Sequence, residues 1–561
     1  MNIIKEKTMA VHVETGTMRG PITYQSYNLD HLGLVAAMVD ELGIVELIDT
    51  VIVQDHAQRM VSVGQAVKAM ILNGLGFSHR ALYLTPHFFE KKPVARLLGT
   101  GIEARHLNDD TLGNALDRIY SYGVEDLYTL TAAASVEKLQ LQCRFGHLDS
   151  TSLHVDGQYN SDQPVQDGVI RITQGYSRDH RPDLNQWVIQ FICENQAGIP
   201  LLMKPLSGNS EDKTGFRETL AVHLGQLNRD FKVQYYVFDS AGFVQETLLR
   251  LGETRWITRV PETLTLARHI SDAVAAELAT TDSPIRSRSL GVEHAGIRQR
   301  WIVICTASSR QRAQKSVRHE YVKQGQQEVK AFHFLSKQSF FCTADAQAAL
   351  DQFKATLSYT ALFDEKVMAV ATYEKRGRPT ANQPPSKITY QIVGQIGSLI
   401  DDPRRQQKID RKSCFIVASN ELDEAALSDE ELMEAYLKKQ QKVERGFRFL
   451  KDPLFMASTV FLKSAQRIMA LAMIMTLSLL VYSALEYRIR ESLKAHHQTV
   501  PDQKGHPTDH PTARWVFQFF TGIHLLVIEE IRETVLNLKD AHETLLALLG
   551  ARFVALYANS E

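Results

Sequence analysis

Residues 143–155 read CRFGHLDSTSLHV, a β-rich run with Asp149 inside it, and the segments that follow decide the fold. QWVIQFICEN (186–195), the turn QAG and IPLLMKPL (199–206) have the pattern of a β-hairpin. GFRETLAVHLGQL (215–227) is helical, VQYYVFD (233–239) is a buried strand ending at Asp239, FVQETLLRLGE (243–253) is a helix and RWITRV (255–260) a strand. Three strands, a helix, a strand, a helix and a strand predict an α/β mixed sheet flanked by helices, with both aspartates on strands of one sheet.

Outward from this core the pattern changes twice. Upstream, SVGQAVKAMILNGLGF (62–77) and HLNDDTLGNALDRIYSYGVEDLYTLTAAAS (106–135) have apolar residues three and four apart, and Asn108 and Asp109 stand near an N-cap. Downstream, between Pro261 and about Asn420, WIVICTA, KITYQIVGQI and SCFIVAS alternate with polar helical stretches, which reads as a β-rich α+β insertion. SDEELMEAYLKKQQKVERGFRFLKD (428–452) returns to helix, with Ser428 and Glu431 forming a capping box. The expected division is therefore 1–140 (helical), 141–261 (core, first part), 262–424 (insertion), 425–495 (core, second part) and 496–561 (linker and C-terminal helices).

At 561 residues with 44% hydrophobic residues, the chain can bury several cores. The net charge of −1 excludes a uniformly basic nucleic-acid coat, so any such surface is local. One local cluster runs from Tyr436 to Lys451, where Lys438, Lys439, Lys442, Arg445, Arg448 and Lys451 face the single acid Glu444. Five scattered cysteines, odd in number and without a CxxC pair, fit a reducing compartment. IMALAMIMTLSLLVYSAL (468–485) has no charge over eighteen residues, but Thr476, Ser478, Tyr482 and Ser483 interrupt it; it reads as a core helix and not a membrane span.

Asp149, Asp239 and Glu444, if brought together, make a carboxylate cage for divalent metal. Hard cations such as Mg²⁺ take oxygen ligands and keep several waters, leaving room for a nucleophile and a phosphate. At about 100° per residue, Gln440, Arg448 and Lys451 share a helical face with Glu444. Each acid taken singly has another reading: Asp149 as a cap or loop acid, Glu444 as part of a solvated charged face.

GHLDSTSLH, YYVFDSAGF and YLKKQQKVERGFRFLKDP, in that order and with a long insertion before the third, resemble the DDE transposases of bacterial insertion sequences. More narrowly, the chain resembles the cut-and-paste group with an RNase H-like core and a β-rich insertion before the catalytic Glu. NLDHLGLVAAMVDELG, LYLTPHFFEKKPVARLLG, GYSRDHRPDLNQW and HPTARWVFQFF are similar to further segments of that group, so the likeness spans nearly the whole chain. It implies that Asp149, Asp239 and Glu444 are the catalytic triad and bind two Mg²⁺ or Mn²⁺ ions. It also implies that the protein binds the terminal inverted repeats of its element, cleaves and joins DNA strands, and acts as a homodimer on two ends, in the bacterial cytoplasm at the nucleoid, without membrane. The alternatives are a transposase-derived DNA-binding protein without cleavage and a metal-dependent nuclease of the same core.

The group's Tyr-x2-Arg-x3-Glu-x6-Lys signature is met in Glu444 and Lys451. Gln440 stands at the Arg position and Tyr436 one residue too far upstream, so Lys442, Arg445 and Arg448 join Lys451 as candidate phosphate contacts. Lys375-Arg376-Gly377-Arg378-Pro379 resembles an AT-hook core, with Arg376 and Arg378 entering a minor groove, or is a solvated basic loop. Arg178, His180 and Arg181 either guide DNA toward Asp149 or cap a loop with Asp179 and Asp183. Trp256 and Trp301 either stack on an unpaired base or pack on strands.

Overall fold

The computed structural model describes residues 23–53, 60–76, 82–155, 159, 168–177, 181–210, 212–280, 283, 285–374, 383–398, 403–439, 451, 462, 464–529 and 532–560. The chain forms two compact units, one of residues 1–258 and 423–561, the other Arg259–Leu422. The strands, in chain order, are β1 (Tyr24–Asn28), β2 (Phe145–Val155), β3 (Asn185–Glu194), β4 (Pro200–Ser207), β5 (Tyr235–Phe238), β6 (Arg255–Arg259), β7 (Ile285–His294), β8 (Ile297–Thr306), β9 (Thr360–Thr372), β10 (Lys387–Ser398), β11 (Cys414–Ser419), β12 (Val500–Pro501), β13 (Pro507–Thr508), β14 (His524–Ile528) and β15 (Arg532–Leu536).

In the first unit five of these run in the order β4-β3-β2-β5-β6. β2, β3 and β4 form an antiparallel meander, and β5 and β6 add parallel to β2. The expected mixed α/β arrangement is present, with helices Asp212–Phe231 and Gln245–Leu251 as the two connections. At the β3–β4 turn the buried Glu194 carboxylate accepts the backbone N–H groups of Gln196, Ala197 and Ile199, the last two at 2.9 and 2.8 Å. Gly198 adopts φ +81°, which a residue with Cβ rarely takes.

The rest of this unit is mostly helical. Ser62 and Gln65 form a capping box on Val63–Leu75, and Asn108 caps Asp109–Tyr122 as its sequence indicates. The apolar run at 468–485 lies in helix Ala465–Ala495, whose most apolar eighteen-residue window is 94% buried. That helix packs on Val63–Leu75, Asp109–Tyr122 and Val124–Lys138, so it is the core helix expected, although it is long and apolar enough to cross a membrane.

Residues 496–561 are more than a linker and helices. β12 and β13 pair within the histidine-containing stretch, and β14 joins β15 and the N-terminal β1 in an antiparallel sheet. Each of these strands is five residues or fewer, and β1 pairs about five hundred positions away, so local pattern gave no warning. The buried Tyr557 donates its hydroxyl to the Asp30 carbonyl at 2.6 Å, and Gly33 leaves room for its ring.

The second unit contains the antiparallel strands β11-β8-β7, the β9–β10 ribbon, and helices Thr265–Thr280, Ala307–Ser336, Thr343–Thr356 and Pro403–Ser413. The expected strands at 301–307, 387–396 and 413–419 are present, and β7 and β9 add to them. Phe332, Leu350 and Ile392 centre a core between the ribbon and two helices. Glu320 on helix Ala307–Ser336 is held down to about 2 by Lys408, with Lys412 and Tyr359 adding to the effect.

Candidate functional site

β2 and β5 pair in parallel as Phe145↔Tyr235, Gly146↔Tyr236 and His147↔Val237. That constant offset of 90, carried two residues further, sets Asp149 beside Asp239. Asp239 lies one residue beyond the end of β5, not on it, but its backbone stays extended (φ −78°, ψ 179°). Side chains alternate along strands, so residues 145, 147 and 149 share a face with 235, 237 and 239. The Phe145 and Tyr235 rings stack on that face at 5.4 Å. Neighbouring strands run about 4.8 Å apart.

Both acids are held from below. The half-buried Asp149 accepts the Ser150 N–H at 2.8 Å through Oδ1. The exposed Asp239 caps the turn Ser240–Gly242, accepting the Ala241 N–H at 2.9 Å, while its carbonyl accepts the Thr258 hydroxyl at 2.9 Å. Trp256, fully buried, packs on Phe238 and Phe243 on either side of this turn. Two carboxylates, one on β2 and one just past β5, are the hard oxygen donors that Mg²⁺ or Mn²⁺ takes, so their chemistry fits such an ion. Among the described residues no group of three His, Cys, Asp or Glu side chains forms a metal cage.

A residue that the sequence did not single out organises the other end of this face. The Arg144 guanidinium lies over both Phe145 (5.3 Å) and Tyr235 (5.6 Å). It donates to Glu431 and to the Ala426 carbonyl, each at 2.7 Å, and holds the Glu431 carboxyl below its ordinary range. Ala426 and Glu431 belong to the segment that opens helix Asp429–Glu434, so this segment is latched to the face that carries Asp149 and Asp239. The capping box of Ser428 and Glu431 is formed as expected. An arginine just before a strand carries no pattern of its own; only the aromatic pair and the distant carboxylate give it a role.

Beyond Glu434 the helix widens into a π-turn, Ala435–Lys439, which contains the nearly buried Tyr436. Glu444, Lys442, Arg445 and Arg448 lie outside the described residues, as do Arg376, Arg378 and Arg178. Lys451 is half-buried in a turn. Arg181 forms an ion pair with Asp183 at 2.8 Å, the loop-capping arrangement of its two readings. Trp256 and Trp301 are both fully buried, and Trp301 donates to Gln299 at 2.8 Å, so they pack on strands and present no face to a base.

Residues 24–133 match a domain family described as a domain of unknown function, DUF4277. No curated protein matches the chain. Among solved structures, a cryo-EM structure of the piggyBac transposase synaptic complex with hairpin DNA aligns with 87% of this chain and 80% of its own, at 9% identity and a TM-score of 0.35. At that score the likeness carries no argument about the fold or function of this chain.

Proposed function

We propose that this chain is a DNA transposase of the DDE type, which binds the terminal inverted repeats of its element and cleaves and transfers strands. The observation that supports the reading is the parallel register of β2 and β5, which, continued two residues past its last pair, brings Asp149 on β2 level with Asp239 just beyond the end of β5. An antiparallel meander extended by two parallel strands, in the order β4-β3-β2-β5-β6, is compatible with an RNase H-like core and supports the reading. Asp149 and Asp239, with Glu444 as the third acid, are the residues to hold two Mg²⁺ or Mn²⁺ ions. Such ions, when bound, activate the attacking water or 3′-hydroxyl and stabilise the leaving oxygen.

The chain's own residues would position the rest. Arg144 latches the segment leading to Glu444 onto the face of the two aspartates. Tyr436 stands one residue further from Glu444 than the group's signature requires, and a π-turn takes up one residue more than an α-turn, so the offset and the turn at Ala435–Lys439 match. Lys451, Lys442, Arg445 and Arg448 are assigned to the phosphate backbone, Arg376 and Arg378 to the groove, and Arg178 to the entry loop, which the Arg181–Asp183 ion pair caps.

Charge separation supports a nucleic-acid role. Residues 259–422 carry 24 Lys and Arg against 16 Asp and Glu, whereas the remainder carries 39 against 48. A net of +8 on the second unit, in a chain of net −1, is the charge a polyanion-binding domain would carry and supports the reading. Homodimerisation on two DNA ends and a place in the bacterial cytoplasm at the nucleoid complete the proposal.

The test is incubation with Mg²⁺, labelled end DNA and a target plasmid. Joined product is expected; cleavage without joining identifies a nuclease, and a bound, uncut end identifies a DNA-binding protein. Glu444→Gln should abolish chemistry and spare binding, and surviving activity would overturn the triad.

A further inference from the structure

Cys305 and Cys414 are direct cross-strand partners on β8 and β11 of the second unit, 109 positions apart in sequence. Directly opposed residues of an antiparallel pair have Cα atoms roughly 4.5 or 5.5 Å apart, and both spacings lie within the range of about 4.4–6.8 Å that a disulfide bridges. Register partners also project from the same face of the sheet.

The environments of the two thiols differ. Cys305 lies just before Thr306, the N-cap of the thirty-residue helix Ala307–Ser336, whose N-terminal partial charge favours an anion. It lines a cavity of about 190 Å³ together with Arg286, Arg310, Gln311 and Gln314. The pairing with Cys414, then the charges of Arg286 and Arg310, hold the Cys305 thiol below its ordinary range against the opposing effect of burial, while the Cys414 S–H donates to the Asp410 carbonyl at 3.4 Å. Cys414 is pushed up by the same pairing and by burial. It lines a separate cavity of about 200 Å³ beside Arg268, Arg411 and Lys412.

We infer that Cys305 and Cys414 form a reactive dithiol, a modification site at which Cys305 is the attacking thiolate and Cys414 the resolving thiol toward a small anionic disulfide. The Cys305 Sγ attacks one sulfur of the disulfide, forming a mixed disulfide and expelling one thiolate. Cys414 loses its proton, and its Sγ attacks Cys305 Sγ, forming the Cys305–Cys414 bond and expelling the second thiolate. Two protein thiols are thereby oxidised by two electrons, the small disulfide is reduced to two thiols, and these take up the two protons. The bond joins the last turn of helix Pro403–Ser413, through the first residue of β11, to the start of helix Ala307–Ser336. This site is independent of the transposase reading.

The probe is glutathione disulfide, applied to the full chain carrying Cys342→Ser, because Cys342 is an exposed thiol that would react separately. Peptide mapping by mass spectrometry should find Cys305 linked to Cys414, with Cys143 and Cys193 reduced. Adding Cys414→Ser should trap one glutathionyl group on Cys305; adding Cys305→Ser should leave Cys414 unmodified. The proposal is overturned if the fully folded Cys342→Ser protein forms no Cys305–Cys414 link, a result that does not depend on the folding of either further variant. It is equally overturned if, with Cys414→Ser, Cys305 reacts no faster than the buried Cys193.

Discussion

Replacing Asp149 by Asn separates a functional acid from a structural one. At one strand spacing, about 4.8 Å, two carboxylates repel by about 3 kcal/mol at an effective dielectric near 20. Asp239 is exposed, so water screens this to about 1 kcal/mol or less. Asn retains an Oδ1 that accepts the Ser150 N–H, so no backbone donor is orphaned. The metal-free variant should therefore be as stable as the parent or up to about 1 kcal/mol more stable. An ion present at a hundred times its dissociation constant stabilises the parent by about 2.7 kcal/mol, and Asp149→Asn should lose most of this. Thermal melting with and without Mn²⁺ reads both quantities without any DNA. Equal metal-induced shifts in parent and variant would refute the assignment, and a metal-free variant destabilised by more than about 1 kcal/mol would make Asp149 a structural residue.

Other expectations follow from the same geometry. Arg144→Ala removes two ring contacts, a carbonyl bond and a half-exposed ion pair, together about 2 kcal/mol of local docking. Amide exchange at Glu431–Ala435 should quicken roughly tenfold or more, and unchanged protection would show that the latch is idle. His31 is lowered to about 4 by burial and stacks on Phe517. Below about pH 6.5 the unfolded imidazole takes a proton that the folded one refuses, so stability declines from there toward pH 4 by up to about 3 kcal/mol. His31→Gln should melt with a shallower pH dependence over that window, and identical slopes would exclude the histidine as the cause. Glu194→Ala leaves three backbone donors at the β3–β4 turn without their carboxylate and should cost about 2–4 kcal/mol in urea unfolding; a loss below about 1 kcal/mol would mean that water replaces it.

Much of the fold was legible where the signal is local. The meander, the crossover helices, the Asn108 and Ser428 caps and the buried helix at 465–495 follow from periodicity and capping chemistry, which act over three or four residues. The short strands β1, β14 and β15 escaped because five residues hold too little pattern to set against the helices around them. Of the candidate site, the aspartates were visible as acids within or just after apolar strands, but Arg144 was not, because its partners lie 287 and 282 positions away.

By itself the sequence determined the longer strands and helices of the core, the acids carried on or beside them, and the basic stretch from Tyr436 to Lys451. Only the tertiary structure decided that β2 and β5 pair in the register that runs toward Asp149 and Asp239, that Arg144 latches residues 426–431 to that face, and that Cys305 faces Cys414. The reason is physical. Local preference is set by each residue's near neighbours, whereas strand register depends on which buried faces fit together across tens to hundreds of residues, and a slip of one position turns every side chain to the opposite face.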